Sequence, residues 1–387
     1  RALHELRAQV AAKPAKGSAA EPSAPAASAR TPQPTDIAAA LAQRVKGQPV
    51  AVREMAVALA KHLGGLRVGN ILMIGSSGTG KTTLMRAVEA YLAADPALAN
   101  RSSVVRIHAN VLGDEAQRGR PGEAVMTRLV ERAREQLGSQ ASIDALLTRA
   151  ASGLVFVDEV DKIRSQVGGV PNVSGIRAQE ALLTLMENEA IPVVLPAWTG
   201  RSDIVTVDSQ GLLFVCAGAF EGLYDAVYDR VTIGKDRGAL QAVTVMDGGR
   251  LREELNFHLR DWLRNEDLFN YGMSPQFLSR FDAVVLLADL THDDLVHIFL
   301  ETPESAYHQT RAYFESRGVH LALSPTAVRR IAIEAARQPR LGARALREVF
   351  RRVIRDYEFD PAASVVAGAL LIDLPEVEAV LGPSGKS

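Results

Sequence analysis

Residues 75–82 read GSSGTGKT, a match to the G-x-x-x-x-G-K-[ST] pattern, and the segments on either side decide how to take it. Ahead of it lies the apolar run NILMI (70–74), and behind it TTLMRAVEAYL (82–92) repeats its apolar residues at helical spacing. A buried strand, a glycine-rich turn and a helix in that order form a phosphate-binding loop. The glycines let backbone N–H groups wrap an anion, and the helix N-terminus adds its dipole. On this reading Gly75, Ser76, Ser77, Gly78, Thr79, Gly80, Lys81, Thr82 and Thr83 contact a nucleotide such as ATP. Lys81 reaches the β and γ phosphates, and Thr82 ligates Mg²⁺. A glycine-rich turn that binds nothing is the competing reading, and both flanks argue against it.

The second half of such a site follows at LVFVDEVDKI (154–163). An apolar strand delivers Asp158 and Glu159 to its C-terminal end, where parallel sheets bind their ligands. Asp158 suits Mg²⁺ coordination, partly through water, and Glu159 suits orienting and polarising an attacking water. Two acids after a strand are common in surface turns. Placed this far behind a phosphate loop, they point instead to hydrolysis rather than transfer to a small molecule.

Further apolar runs, VVRIH (104–108), LLFVC (212–216) and AVVLL (283–287), alternate with helical stretches. That alternation predicts an α/β fold, a doubly wound parallel sheet wrapped by helices. IPVVLP and DIVTV flank TGRS (199–202) and predict an inserted hairpin. The predicted organisation is a short helix at 1–12, a Pro- and Ala-rich linker at 13–35, a large domain at 36–290 and a smaller, mainly helical one at 291–387.

The totals set bounds. The chain has 387 residues, 47% of them hydrophobic, enough for two or three domains with sizeable cores. Lys plus Arg number 44 against 45 Asp plus Glu, so bulk charge selects neither nucleic acid nor an acidic partner. The single Cys216 excludes an internal disulfide and a Cys-rich zinc site, in keeping with a reducing, cytoplasmic setting. No apolar run approaches a membrane span. The chain opens on Arg1, so its start carries no information about a leader.

Seven islands, in order, resemble the AAA+ ATPases and within them the ClpX-type unfoldases, with HslU a near cousin. They are RVKGQPVA (44–51), NILMIGSSGTGKTTL (70–84), LVFVDEVDKI (154–163), VSGIRAQEALLTLMEN (173–188), LLFVCAGAF (212–220), YGMSPQFLSRFDAVV (271–285) and LGARALREV (341–349). The resemblance implies a P-loop AAA+ fold with a C-terminal lid domain, and a homo-oligomeric, hexameric ring acting on a protein substrate. It implies that Arg280 is the arginine finger, inserted into a neighbour's site, and that Arg344 is the sensor-2 arginine on a lid helix. It also places Val45 and Lys46 beside adenine, with Val45 the packing contact. The polar sensor expected on the fourth strand has no counterpart, since CAGAF offers Cys216 and Ala217.

Two departures bear on the task such a ring performs. ClpX-type rings grip substrate with an aromatic-aliphatic loop of the form G-Y-V-G, where this chain has RGRPGEA (118–124). Gly119, Gly122 and Glu123 match; Arg120 and Pro121 replace the gripping pair. A collar of Arg118 and Arg120 attracts anions, whereas an aromatic paddle wedges by apolar contact. The second departure falls between Phe220 and Arg250, a segment with the length and position of the loop by which ClpX docks on a peptidase: where that loop carries Ile-Gly-Phe, this chain has TIGK (232–235). Lys235 resists burial in an apolar pocket, which argues against a ClpP-like peptidase as partner. The first reading is therefore a motor that remodels a specific protein; a nucleic-acid-acting ATPase and an assembly switch that threads nothing are the alternatives.

Overall fold

Period-2 alternation in the apolar runs sorts their side chains onto two faces of one sheet. A computed structural model describes residues 31–99, 102–117, 122–187, 190–194, 204–233, 242–247, 250–255, 257–361, 365 and 368–383. Five parallel strands, β1 (Asn70–Ile74), β2 (Val104–His108), β3 (Leu154–Asp158), β4 (Leu213–Gly218) and β5 (Phe281–Leu286), lie in the order β5-β1-β4-β3-β2. Leu72, Ile74, Val155, Val157, Phe214 and Cys216 face one core, together with Met126, Leu129 and Leu182 from helices Glu123–Leu137 and Val173–Met186. Ile71, Met73, Leu154, Phe156, Leu213 and Val215 face the other. Helices Pro34–Arg44, Pro49–Leu63 and Lys81–Ala94 cover that second face. This is the doubly wound α/β architecture that the alternation implied.

From Leu290 onward a third core forms around a parallel two-stranded pair, His320–Leu323 with Ala369–Ile372. Its longest helix, Ala343–Phe359, buries Ala345, Leu346, Val349, Phe350, Val353 and Ile354, the i, i+4 stripe of an amphipathic helix. The helix starts are written in sequence. Thr291 accepts from Asp294 N–H in a reciprocal capping box, and the Ser305 and Ser324 hydroxyls accept from the N–H groups of His308 and Ala327 without a reciprocal bond. Among the described residues no helix is long and apolar enough to cross a membrane.

Several local expectations change. The first described helix begins at Pro34, inside the span read as linker, because proline fits a helix's first turn. The helix and linker expected before it lie outside the described residues. The inserted hairpin pairs Ala190–Val194 with Ile204–Asp208, and its TGRS tip is also outside them. The span from Phe220 to Arg250, read as a docking loop, holds a helix at Leu223–Ile233, since Leu223, Val227 and Val231 recur every four residues and are buried. It continues into an antiparallel pair, Ala242–Asp247 with Arg250–Leu255. Ile233 is exposed, whereas Gly234 and Lys235 are outside the described residues.

Phe156 is fully buried on the strand that delivers Asp158, whereas Phe359 is 92% exposed. Phe156→Ala is expected to cost about 3–5 kcal/mol, and Phe359→Ala less than about 0.5 kcal/mol. Urea denaturation checks both; equal midpoints for the two variants would contradict this assignment of the core.

Candidate nucleotide site

The phosphate loop leaves β1 at the C-terminal edge of the sheet and turns through Gly78 (φ +75°) and Gly80 (φ +108°), a conformation L side chains rarely adopt. Thr79 is buried, its hydroxyl donating to Ser76 O at 2.8 Å, so it braces the loop from within. Lys81, 9% exposed, folds back on the loop and donates to the carbonyls of Gly75 and Ser76. Burial pushes its ammonium down to about 8. Asp158 and Asp161 pull it upward, and the nearby Arg344 pushes it further down.

Thr82 and Asp158, the expected metal pair, are brought together: Thr82 Oγ1 lies 3.3 Å from Asp158 Oδ2. The other carboxylate oxygen, Oδ1, accepts from Glu159 N–H at 2.9 Å. Glu159 adopts a left-handed conformation (φ +59°), shared among described non-glycine residues only with Phe220 (φ +51°). Both lie just past the C-terminal ends of strands, β3 and β4, where strained backbone re-aims a side chain. His108 is paired with Asp158 across β2 and β3, and its Nδ1 is 3.7 Å from Glu159 Oε2.

One cleft of about 790 Å³ collects these groups. Its walls include Lys81, Thr82, Asp158 and Glu159, and, from the helix Ala343–Phe359, Arg344 and Arg347. Such a volume is in the range of nucleotide-sized sites. Cys216 is fully buried within β4, where burial raises its thiol, and it does not line the cleft. Glu221, just beyond that strand, does line it. Asp161 is buried and accepts from Ala219 N–H at 3.0 Å, tying the acidic turn to the end of β4. Its Oδ2 is buried without a hydrogen bond, though Lys162 Nζ lies 3.5 Å away. Acidic oxygens, a threonine hydroxyl and a glycine cradle suit a nucleotide with a hard divalent cation.

The helical region closes on the loop through backbone. Ala343 N–H donates to Gly78 O at 3.1 Å. A Cβ on Gly78 would fall 2.1 Å from Leu341 O, and one on Gly342 (φ +50°) 2.7 Å from the Gly78 backbone. Glycine at both positions is what permits this approach. The sequence presents it as LGAR behind GSSGTGKT, two motifs whose contact neither one announces.

The remaining expected residues are elsewhere. Val45 is buried in the core, and Lys46 is paired with Glu301 at 2.9 Å. Arg280 is at the opposite edge of the sheet. It precedes β5 where the loop follows the neighbouring β1, so a strand length of about 17 Å separates them. Its guanidinium donates to Glu187 at 2.6 Å, and Asn70 Nδ2 holds its carbonyl at 3.0 Å. Gly122 (φ +81°) opens the helix Glu123–Leu137. Arg118, Gly119, Arg120 and Pro121 lie outside the described residues.

A buried strand, a glycine cradle, paired acids at a strand end and an arginine-bearing helical lid define a P-loop ATPase of the AAA+ class. Residues 71–218 match the family described as "ATPase family associated with various cellular activities (AAA)". The chain is 30% identical over 375 residues to a protein of Methylococcus capsulatus named "ATP-dependent Clp protease ATP-binding subunit ClpX 3", covering 90% of this chain and 80% of that one. The ClpX of Azotobacter vinelandii is 29% identical over 320 residues, 81% of this chain and 67% of its own. That of Bacteroides fragilis is 29% identical over 349 residues, 85% and 77%. The chain belongs to the ClpX family of AAA+ ATPases.

The Lys81 environment has a measurable consequence. Its folded value of about 8 lies below the ordinary lysine value of 10.5, so between the two the unfolded chain binds more protons and stability rises with pH. Relative to Lys81→Met, the nucleotide-free wild type should gain about 3 kcal/mol as pH rises from about 7.5 to about 10.5. Urea denaturation across that range checks it. A difference between the two proteins that stays constant with pH would contradict the burial of this cation.

Proposed function

We propose that this ATPase works as a ring motor, hexameric as its class is, that unfolds or remodels a specific protein partner. The observation that carries the ring is the position of Arg280, a strand length from its own phosphate loop. A guanidinium there can serve a nucleotide only across a subunit boundary. Its planar fork suits charge building on a transferring γ phosphate.

Within one site, Lys81 exchanges its two loop carbonyls for the β and γ phosphate oxygens of ATP. Thr82 and Asp158 would hold Mg²⁺, which when bound supplies positive charge beside the phosphates. Glu159 orients the attacking water and accepts its proton as oxygen bonds to the γ phosphorus and the bond to the β–γ bridging oxygen breaks. ADP and phosphate are the products. Arg344 approaches from the lid, and Arg280 of a neighbour from the opposite side.

The protein partner is the finer part of the proposal. The relatives are named as ATP-binding subunits of a protease; Lys235, in place of the docking aromatic, favours work without a ClpP-like peptidase. Arg118 and Arg120, in place of an aromatic grip, favour a partner with acidic segments.

Glu159→Gln should bind ATP and hydrolyse it at least ~100-fold more slowly, so that partners stay bound. Affinity purification with this variant and ATP should recover one dominant protein, whose unfolding by the wild type then follows from loss of its native fluorescence. Turnover equal to wild type removes Glu159 from its role. Stimulation by DNA or RNA that falls steeply with salt would replace the protein substrate with nucleic acid.

A further inference from the structure

The chain leaves β5 at Leu286 and reaches the next helix, His292–Glu301, through a short link. Both polar backbone atoms of Ala288, where this link starts, are bound by one side chain. Gln48 Nε2 donates to Ala288 O at 2.7 Å, and Gln48 Oε1 accepts from Ala288 N–H at 3.0 Å. The same Nε2 donates at 3.0 Å to Thr79 O, in the phosphate loop. Gln48 is 4% exposed and does not line the cleft. Three bonds from one buried amide fix its orientation, and breaking them would strand buried backbone groups.

The residues before Gln48 address the same link and helix. A Cβ on Gly47 (φ +74°) would lie 2.8 Å from the side chains of Leu290 and Asp294, and Lys46 is paired with Glu301 at the helix's far end. The carbonyl face of the loop is thus tied to the helical region twice in succession. Gly78 O is held by Ala343 N–H, and Thr79 O is held through Gln48 to Ala288.

A peptide unit is planar, with its N–H and C=O pointing in opposite directions. Turning the Gly80 N–H toward a phosphate therefore turns Thr79 O, on the other edge of the same plane, against Gln48. We infer that Gln48 is a positioning residue for ATP turnover: it transmits the orientation of the Thr79–Gly80 peptide to Ala288 and so sets the angle of the helical lid. This rests on the reading of residues 75–82 as the phosphate site. A nucleotide held without its phosphates in the loop leaves the lid where it was.

The test is a distance between dyes on the two regions. Glu131→Cys and Arg352→Cys lie at exposed positions, and the native Cys216 is buried and spared from labelling. A trace of labelled chain in excess unlabelled protein reports one pair per assembly. In the wild type the distance shifts when a non-hydrolysable ATP analogue binds. Gln48→Leu removes all three bonds, and Gln48→Glu keeps the acceptor for Ala288 N–H while losing both donors. Each should bind the analogue with about a tenfold loss of affinity at most. With the analogue saturating, the distance shift should fall below half its wild-type size and kcat should drop with it. A wild type without a shift, or a folded variant that keeps both the full shift and the wild-type kcat, overturns the inference. Lys81→Ala separates it from the reading beneath it: if that variant still binds and shifts normally, the phosphate site is misassigned. Should neither Gln48 variant fold, hydrogen exchange of the Ala288 amide in the wild type decides. It must change when the analogue binds, and no change overturns the proposal.

Discussion

The backbone of the phosphate loop has two faces, and the structure uses them for opposite purposes. Ser77, Gly78 and Gly80 line the cleft, while carbonyls of the same loop are held by donors from the protein. Gly78 O takes Ala343 N–H, Thr79 O takes the Gln48 amide, and the Gly75 and Ser76 carbonyls take Lys81. The glycines at 78, 80 and 342 allow the close approach and the left-handed turns. The sheet supplies a rigid floor through β1, and the lid is fastened to the loop rather than to the sheet alone. Other features of the site follow from this division, including the burial of Lys81 and the reach of Arg344 into the same cleft.

Electrostatics give the site its direction. A buried lysine held near 8 is costly without a ligand, and the acids beside it offset only part of that cost. On the proposed assignment of residues 75–82, phosphate oxygens would relieve it. Glu159, in its left-handed turn beside His108, is exposed to the cleft rather than buried in an ion pair. Arg280, by contrast, is satisfied by Glu187 on the far edge of the sheet and has no route to its own phosphate loop.

Much of this was legible in the sequence because the pieces are local. The five strands announce themselves as short apolar runs, and GSSGTGKT and VDEVD carry their context with them. The helix starts are spelled out by Thr291, Ser305 and Ser324. What the sequence concealed is long-range. Gln48 lies in a segment recognisable as part of the nucleotide pocket, yet its bonds to Ala288 span 240 positions and leave no spacing signal. Asp161 resembles any charged residue after an acidic pair until its bond to Ala219 places it inside the fold. The helix Leu223–Ile233 was hidden by expecting a loop there, although its own four-residue periodicity is plain in hindsight.

The central claim is that each nucleotide site is finished by another copy's Arg280. Mixing two inactive proteins, Arg280→Ala and Glu159→Gln, tests it directly by ATP turnover as a function of mixing ratio. The account predicts that each alone is inactive. Mixed assemblies should recover part of the wild-type rate, greatest at intermediate ratios, where an intact Arg280 faces an intact Glu159. No recovery at any ratio, with co-assembly verified, would contradict it.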